Sequence, residues 1–328
     1  MSLANVGELL LRCLDAVAAR SVAEVGAYAG DLTRVLAGWA AEHGAQVLAI
    51  DPSPQPGLVA LAEAGGTVEL VRATSIDALP RIPLPDAIVI DGDHNYWTVS
   101  QELRLIAERA PDAAMPLLMF HDVCWPHGRR DDYFDPAQIP ADARHPLVGE
   151  GRGIMPGDPG ARSGGLPYPK SAEREGGPGN GVLTAIEDFV AGQPGMRLAI
   201  VPAFFGFGVA WHQGAPWADA VAAVIDPYDN DPIMRRLEAN RVHHLAQSFA
   251  HQTELWQLRE QMAEQEALLR RMLESSAFSV AEQLSRARIT AGVAPEQSVI
   301  SKAEIRRVLD SQPQPQPQPP DAARGASG

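Results

Sequence analysis

Cysteine is scarce in this chain of 328 residues: Cys13 and Cys124 are far apart, and neither belongs to a CxxC pair. We therefore expect neither a disulfide framework nor a thiolate zinc site, and we predict a reducing, cytoplasmic location. The N-terminus lacks a basic leader, and its apolar run 9–11 is bounded by Arg12 and Asp15. No secretory signal and no membrane span are expected.

Basic residues are also fewer than acidic ones. The chain has 27 Lys and Arg and 41 Asp and Glu, which gives a formal net charge of −14 at pH 7. Such a field repels phosphate backbones and anionic lipid surfaces, so we expect neither nucleic acid nor a membrane as the main partner. Hydrophobic residues make up 45% of the chain. That content suffices for one domain of roughly 200 residues plus an accessory segment.

Strand-like and helix-like segments alternate through the first 125 residues. Helical spacing is seen at 31–43, 55–64 and 97–110, and apolar runs that end near Val25, Asp51, Ser75, Asp91 and His121 lie between them. A helix at 182–192 and two strands within 196–211 follow. Because each strand feeds a crossover, the pattern predicts a doubly wound, Rossmann-like α/β fold with a mostly parallel seven-stranded sheet.

The amino-acid composition changes twice after the fifth predicted strand. Residues 125–181 are rich in Gly and Pro and have almost no apolar periodicity, which is typical of a functional lid or a disordered stretch. We predict a lid inserted into a domain that spans 1–214. Residues 215–310 are polar and helical, with an apolar stripe whose register shifts along the helix. This amphipathic extension packs either on its own domain or, as we predict, on a second copy as a coiled coil.

The last residues, 311–328, alternate Pro with Gln and end in a short polar stretch. A segment of this composition cannot form a core, so we predict an extended or disordered tail.

The first strand-to-helix turn reads EVGAYAGD and has glycine at positions 26 and 30. Tyr28 stands where a dinucleotide fingerprint needs a glycine, so a pyrophosphate is disfavoured, and with it an NAD-linked oxidoreductase. Asp51 ends the second strand, where an acid commonly binds ribose hydroxyls. Together these features indicate an adenosine ligand without a diphosphate. The alternative is that Gly26 and Gly30 serve packing and Asp51 caps the next helix.

Ionisable groups cluster after the fourth and fifth strands. IDGDHNY places Asp91, Asp93 and His94 at one strand end, and His121 and Asp122 follow at the next. If the two strands are neighbours, their carboxylates converge and either take up a proton or share a cation such as Mg²⁺. The alternative is structural, with Asp91 or Asp93 capping a helix and His94 serving as an ordinary loop histidine.

EVGAYAGDLT resembles the first motif of class I S-adenosylmethionine (SAM) dependent methyltransferases, and its GxYxG form is similar to that of their metal-dependent O-methyltransferase branch. The resemblance covers roughly residues 20–125, and it is weaker through 210. It implies SAM as cofactor, with the methionine end beside the glycine turn, the ribose at the second strand end and the adenine near Ser75. The implied cofactor-binding residues are Glu24, Gly26, Tyr28, Gly30, Asp51 and Ser75.

IDGDHNY resembles the corresponding motif of macrocin and mycinamicin type sugar O-methyltransferases and of cephalosporin hydroxylase-like proteins. The resemblance implies that Asp91 and Asp122 bind a metal and that His94 acts as the base. His121 stands where these families have a carboxylate, and imidazole favours Mn²⁺, Fe²⁺ or Zn²⁺ relative to Mg²⁺. The candidate metal ligands are Asp91, His121 and Asp122.

The resemblance therefore implies a SAM-dependent, divalent-metal-assisted O-methyltransferase that acts on a vicinal diol of a sugar or glycosylated natural product. Mg²⁺ is the expected metal, with Mn²⁺ or Fe²⁺ as alternatives. Two other functions stay open: a metal-dependent hydroxylase of the cephalosporin hydroxylase type, and a non-catalytic scaffold that binds partners through the C-terminal helix. The start of the lid contributes either substrate contacts or a solvated charged loop through His127, Arg129, Arg130, Asp131 and Tyr133.

Overall fold

The computed structural model describes residues 3–110, 114–293 and 300–311. The chain forms two compact units that divide between Phe249 and Ala250. Apart from Ser311, the predicted Pro/Gln tail lies outside the described residues. In the part of the chain that the structure describes, no helix is both long and apolar enough to cross a membrane.

The first unit contains all of the described strands. They are β1 Ser21–Val25, β2 Gln46–Ile50, β3 Val68–Val71, β4 Ala87–Ile90, β5 Leu117–His121, β6 Gly153–Met155, β7 Asp158–Arg162, β8 Met196–Val201 and β9 Phe207–His212. Seven of them form one sheet in the order β3-β2-β1-β4-β5-β9-β8. The pairs among β1 to β5 are parallel, whereas β9 is antiparallel to β5 and to β8. The predicted Rossmann-like, mostly parallel seven-stranded sheet is confirmed.

Ten α-helices occur among the described residues. They are α1 Gly7–Ala16, α2 Asp31–His43, α3 Pro56–Glu63, α4 Ser75–Ala78, α5 Tyr96–Arg109, α6 Val182–Gly192, α7 Ala218–Ile225, α8 Pro232–Glu274, α9 Ser276–Thr290 and α10 Lys302–Asp310. The start of α5 is fixed by Asn95, whose side-chain oxygen accepts a hydrogen bond from the backbone N–H of Thr98 at 2.9 Å. Helix α2 follows Gly30, which adopts the left-handed conformation.

Apolar side chains cover both faces of the sheet. One cluster packs α1, α2 and α7 against it, and the other packs α5 and α6 against the opposite face. Strands β4 and β5 are therefore buried along their whole length. Ile90, the last residue of β4, pairs with Val25 on one side and Phe120 on the other. This register brings the carboxyl ends of β1, β4 and β5 to one edge, which is where doubly wound α/β sheets bind ligands.

The 125–181 segment has more structure than its composition predicts. It contains the β6–β7 hairpin, and Ile154 and Leu166 share a small apolar cluster with Ala246 of α8. Arg130 is fully buried and donates hydrogen bonds to the carbonyls of Ala172 at 2.6 Å and Pro159 at 3.1 Å. Long-range polar contacts of this kind order the segment without apolar periodicity. Its role as a lid stays a prediction.

The first compact unit extends to Phe249, so the predicted domain end at residue 214 lies inside it. Val221 and Ile225 of α7 lie in the core, and Val242 and Ala246 of α8 are buried. The same helix then carries exposed apolar side chains, Leu255, Trp256, Leu258 and Met262. Assembly of two copies through this helix stays a prediction.

Candidate active site

Three potential metal ligands meet at the carboxyl ends of β4 and β5. One donor atom from each of Asp91, His121 and Asp122 lies within 4.8 Å of the others. His121 Nδ1 is 3.0 Å from Asp91 Oδ1 and 3.6 Å from Asp122 Oδ2. The two strands are hydrogen-bonded neighbours, which is the condition under which the sequence predicts convergence.

Both ring nitrogens of His121 are engaged. Nε2 lies 2.9 Å from the carbonyl oxygen of Phe204, so its proton is donated there, while Nδ1 faces the two carboxylates. Burial alone would lower the pKa of His121, but the charges of Asp91 and Asp122 raise it to about 10. When no metal is bound, the imidazolium of His121 therefore offsets one of the two carboxylate charges. This is a third way to reduce their repulsion, besides the shared proton and the shared cation that the sequence predicts.

Asp122 lies 3.2 Å from His94 Nδ1 and 3.6 Å from His121 Nδ1. Burial works to raise the pKa of its carboxyl, but His121, His94 and His127 lower it below its ordinary value, so the group is ionised at neutral pH. Its backbone is left-handed, with φ of +55°, a conformation that Asp and Asn tolerate better than most residues. This conformation follows directly after the last residue of β5.

The donor set fits a divalent cation. When the Nε2 proton is donated to the Phe204 carbonyl, the neutral His121 ring presents the Nδ1 lone pair on the side of Asp91 and Asp122. One nitrogen and two carboxylates suit Mn²⁺ and Fe²⁺, and they are compatible with Mg²⁺. Hydrogen bonding of the second nitrogen to a carbonyl is the usual way a metal-binding histidine is oriented.

His94 lies beside this triad. Its Nδ1 is 3.2 Å from Asp122 Oδ2, and its ring stacks on His127 with centroids 5.4 Å apart. His127 is buried, which lowers the pKa of its imidazole, and it forms a T-shaped contact with the ring of Tyr168, with centroids 4.9 Å apart. The predicted base thus stacks on a second, buried imidazole.

Hydrogen bonds with the start of the 125–181 segment hold the 91–95 loop in place. The backbone N–H of Asp132 donates to the carbonyl of His94 at 2.9 Å, and that of Phe134 donates to Asp93 Oδ1 at 2.8 Å. Asp131, fully buried, accepts from the N–H of Tyr96 at 2.7 Å. This segment therefore helps to set the position of His94.

The predicted substrate contacts Arg129, Arg130 and Tyr133 have other partners in this structure. Arg129 forms a bidentate ion pair with Glu187 at 2.6 and 2.7 Å. Arg130 bonds to backbone carbonyls, as described above, and the buried Tyr133 hydroxyl donates to Asp131 at 2.8 Å. Substrate binding by these residues stays a prediction, and the contacts seen here support the segment itself.

The other end of the crevice lies at β1 and β2. Asp51 is buried, and its carboxylate accepts hydrogen bonds from the N–H groups of Tyr28 and Ser53, each at 2.7 Å. Gly26 has a φ of +84°, and a Cβ there would lie 2.1 Å from the carbonyl oxygen of Asp91. Glycine at this position therefore lets the first turn approach the 91–95 loop.

The remaining predicted cofactor residues differ in their exposure. Tyr28 is exposed and has a φ of +41°. Ser75 is buried at the first residue of α4. Glu24 is buried and accepts a hydrogen bond from the Thr33 hydroxyl at 2.7 Å, and burial raises the pKa of its carboxyl to about 8. Glu24, which the resemblance places at the methionine end of SAM, is therefore buried and mostly protonated at neutral pH.

Sequence reasoning missed the residues that support the site from a distance. The Phe204 carbonyl, the buried Glu238 that binds its turn, and Tyr168 next to His127 carry no local motif. The one available signal was a glycine directly after two phenylalanines, between two predicted strands, which indicates a tight turn.

Residues 23–123 match the family model Methyltransf_24, described as a methyltransferase domain. This range contains most of β1, the whole of β2 to β5 and all of the candidate metal ligands. No curated protein matches the sequence. The match supports the SAM-dependent methyltransferase activity that the sequence predicts, and the doubly wound sheet agrees with it.

Several solved structures resemble the fold at low sequence identity. Methyltransferase PaMTH1 of Podospora anserina, bound to SAH, has 15% identity and a TM-score of 0.40, over 65% of this chain and 80% of its own. A putative caffeoyl-CoA O-methyltransferase of Staphylococcus aureus has 11% identity and a TM-score of 0.39, over 64% and 84%. The SAM-bound O-methyltransferase TomG of Streptomyces achromogenes, involved in tomaymycin synthesis, has 16% identity and a TM-score of 0.38, over 65% and 82%.

Proposed function

We propose that the chain is a divalent-metal-assisted O-methyltransferase whose acceptor carries two neighbouring hydroxyl groups, as in a sugar or glycosylated natural product. The observation that carries this proposal is the convergence of Asp91, His121 and Asp122 at the end of β4 and β5, with His94 beside them. Asp91 Oδ1, His121 Nδ1 and Asp122 Oδ2 are the atoms that would hold the ion. A bound divalent cation lowers the pKa of a coordinated hydroxyl and fixes its direction.

The protein residues must then remove the hydroxyl proton and hold the oxygen in line with the sulfonium methyl. His94 is suited to accept that proton. Its Nδ1 faces Asp122 at 3.2 Å, which favours the tautomer with the proton on Nδ1 and the lone pair on Nε2. The Asp122 carboxylate also stabilises the imidazolium that forms when Nε2 takes up the proton. This carboxylate is ionised because His121, His94 and His127 lower the pKa of Asp122 despite its burial.

The direct test uses the metal-stripped full chain with SAM, a catechol probe such as 3,4-dihydroxybenzoate, and a panel of glycosides. We expect a product heavier by one methylene, and we expect it only after Mg²⁺ or Mn²⁺ is restored. Asp91→Ala should abolish turnover and weaken Mn²⁺ binding in calorimetry while leaving SAM affinity unchanged. Asp219→Asn, a change at an exposed carboxylate on α7, is the matched control.

Three outcomes would contradict the proposal. Full activity in the presence of a chelator would remove the metal from the reaction. A product heavier by one oxygen would favour the hydroxylase alternative. SAM binding without turnover on any acceptor, in a chain that also binds no Mn²⁺, would favour the scaffold alternative.

A further inference from the structure

A buried acid on α8 contacts the turn between β8 and β9. Glu238 is 8% exposed, and its carboxylate accepts hydrogen bonds from the backbone N–H of Phe204 at 3.1 Å and of Phe205 at 2.7 Å. Arg241, one turn further along α8, donates to both of its oxygens, at 2.7 Å from Nε and 2.6 Å from a terminal nitrogen. Although burial acts to raise the pKa of Glu238, these donors lower it, so the carboxylate stays ionised.

The turn that Glu238 contacts has an unfavourable backbone. Phe204 and Phe205 have φ values of +52° and +71°, a left-handed region that bulky residues rarely adopt. Gly206 follows with a φ of +97°, and a Cβ there would lie 2.6 Å from Cys124 Sγ. Such a conformation persists only when surrounding contacts impose it. The carboxylate of Glu238 and the Arg241 guanidinium, 4.5 Å from the Phe205 ring centroid, supply contacts of that kind.

The same turn contacts the candidate metal site at two points. The carbonyl of Phe204 receives the Nε2 proton of His121 at 2.9 Å. The carbonyl of Phe205 accepts from the N–H of Cys124 at 2.7 Å, two residues after Asp122. The position of this turn therefore sets where the Nε2 proton of His121 is donated and how its ring is oriented.

We propose that Glu238 is a positioning residue for the metal site: it holds the Phe204–Phe205 turn so that the Phe204 carbonyl keeps the lone pair of His121 Nδ1 directed at Asp91 and Asp122. This inference rests on the proposed metal-assisted function. Partners that orient a metal-binding histidine commonly change metal affinity by about 10-fold to 100-fold when they are removed. Glu238 acts one hydrogen bond further out, through the backbone, so we expect a loss of about 10-fold.

The test measures Mn²⁺ binding by the full chain in calorimetry, without acceptor, together with SAM affinity and thermal unfolding. Glu238→Ala should weaken Mn²⁺ binding about 10-fold and leave SAM affinity within a factor of about two. Glu238→Gln, which keeps an acceptor oxygen but loses the charge, should lie between wild type and Glu238→Ala. Glu254→Ala, a change at an exposed position of the same helix, is the matched control and should bind Mn²⁺ like wild type.

A purely structural role would lower the unfolding temperature and weaken SAM and Mn²⁺ together, and that result would overturn the inference. Equal Mn²⁺ affinity in wild type and Glu238→Ala would also overturn it while leaving the proposed function intact. A wild-type chain that binds no Mn²⁺ would overturn both proposals. If Glu238→Ala does not fold, Glu238→Gln carries the test, because one oxygen can still accept from the Phe205 N–H.

Discussion

The two halves of the crevice are built in different ways. At the β1–β2 end, Asp51 is bonded to Tyr28 and Ser53, and Glu24 to Thr33, so the partners are at most 23 positions apart in the sequence. At the β4–β5 end, the support comes from distant segments. The loop containing His94 is held by residues 131–134, and His121 is bonded to a carbonyl 83 positions further along the chain.

This difference separates what is common to a fold from what is particular to one protein. The β1–β2 end lies entirely within the range that matches a methyltransferase domain. The β4–β5 end has its candidate ligands within that range, but the turn and helix that orient His121 lie outside it. We therefore expect changes at the two ends to separate cofactor binding from metal binding and catalysis.

Among the changes considered, His94→Gln should separate catalysis from ligand binding most strongly. Loss of a general base typically slows the chemical step by about 10²-fold to 10⁴-fold. The variant should still bind SAM and Mn²⁺ like wild type, because His94 is the proton acceptor in our proposal and not a ligand. Single-turnover rates with both ligands saturating measure the effect, and His251→Gln at an exposed position of α8 is the control. Wild-type turnover would exclude His94 as the base.

Asp51→Asn tests the opposite end of the crevice. Charge-assisted hydrogen bonds to ribose hydroxyls contribute about 1.5–3 kcal/mol each, so SAM should bind about 100-fold more weakly. Calorimetric titration with SAM should show this loss, while the affinity for Mn²⁺ stays at the wild-type value. A parallel loss of Mn²⁺ binding would mean that the two ends of the crevice are coupled and do not bind their ligands independently.

The sequence predicts the features that depend on local patterns, and it does not predict those that depend on contacts between distant segments. Glycine at 26 and 30 and carboxylates at strand ends are local patterns, and parallel pairing of β4 with β5 brings Asp91 and Asp122 together as expected. Arg130 illustrates the limit. A charged run suggests a solvated loop, yet its guanidinium is fully buried on two carbonyls 29 and 42 positions away.

Glu238 illustrates the same limit at the metal site. A glutamate near the start of a polar helix gives no sign of burial, because its partners, the N–H groups of Phe204 and Phe205, are supplied by a turn 34 and 33 positions earlier. A left-handed backbone at two phenylalanines also contradicts local preference. Tertiary contacts decide such features, so a local pattern could not predict them.

The buried carboxyl groups of the two ends differ in charge, and this difference gives the smallest of the expected effects. Asp122 is ionised beside imidazoles, whereas burial raises the pKa of Glu24 to about 8. Between the ordinary glutamate pKa and about 8, the folded chain holds a proton that the unfolded chain has released. The contribution of Glu24 to stability is therefore present at low pH and is lost as the pH rises through this range.

Glu24→Gln removes this dependence because the amide cannot ionise. Relative to wild type, the variant should gain on the order of 2 kcal/mol in free energy of unfolding between pH 5 and pH 7, since one pKa unit corresponds to about 1.4 kcal/mol. Urea unfolding of the metal-free and SAM-free chain at the two pH values measures the gain. Glu69→Gln, at an exposed position of β3, should show no such gain. If the free energy of unfolding changes with pH equally in wild type and Glu24→Gln, Glu24 is ionised in the folded chain. Its carboxylate would then be available to the amino group of SAM, and its charge would not differ from that of Asp122.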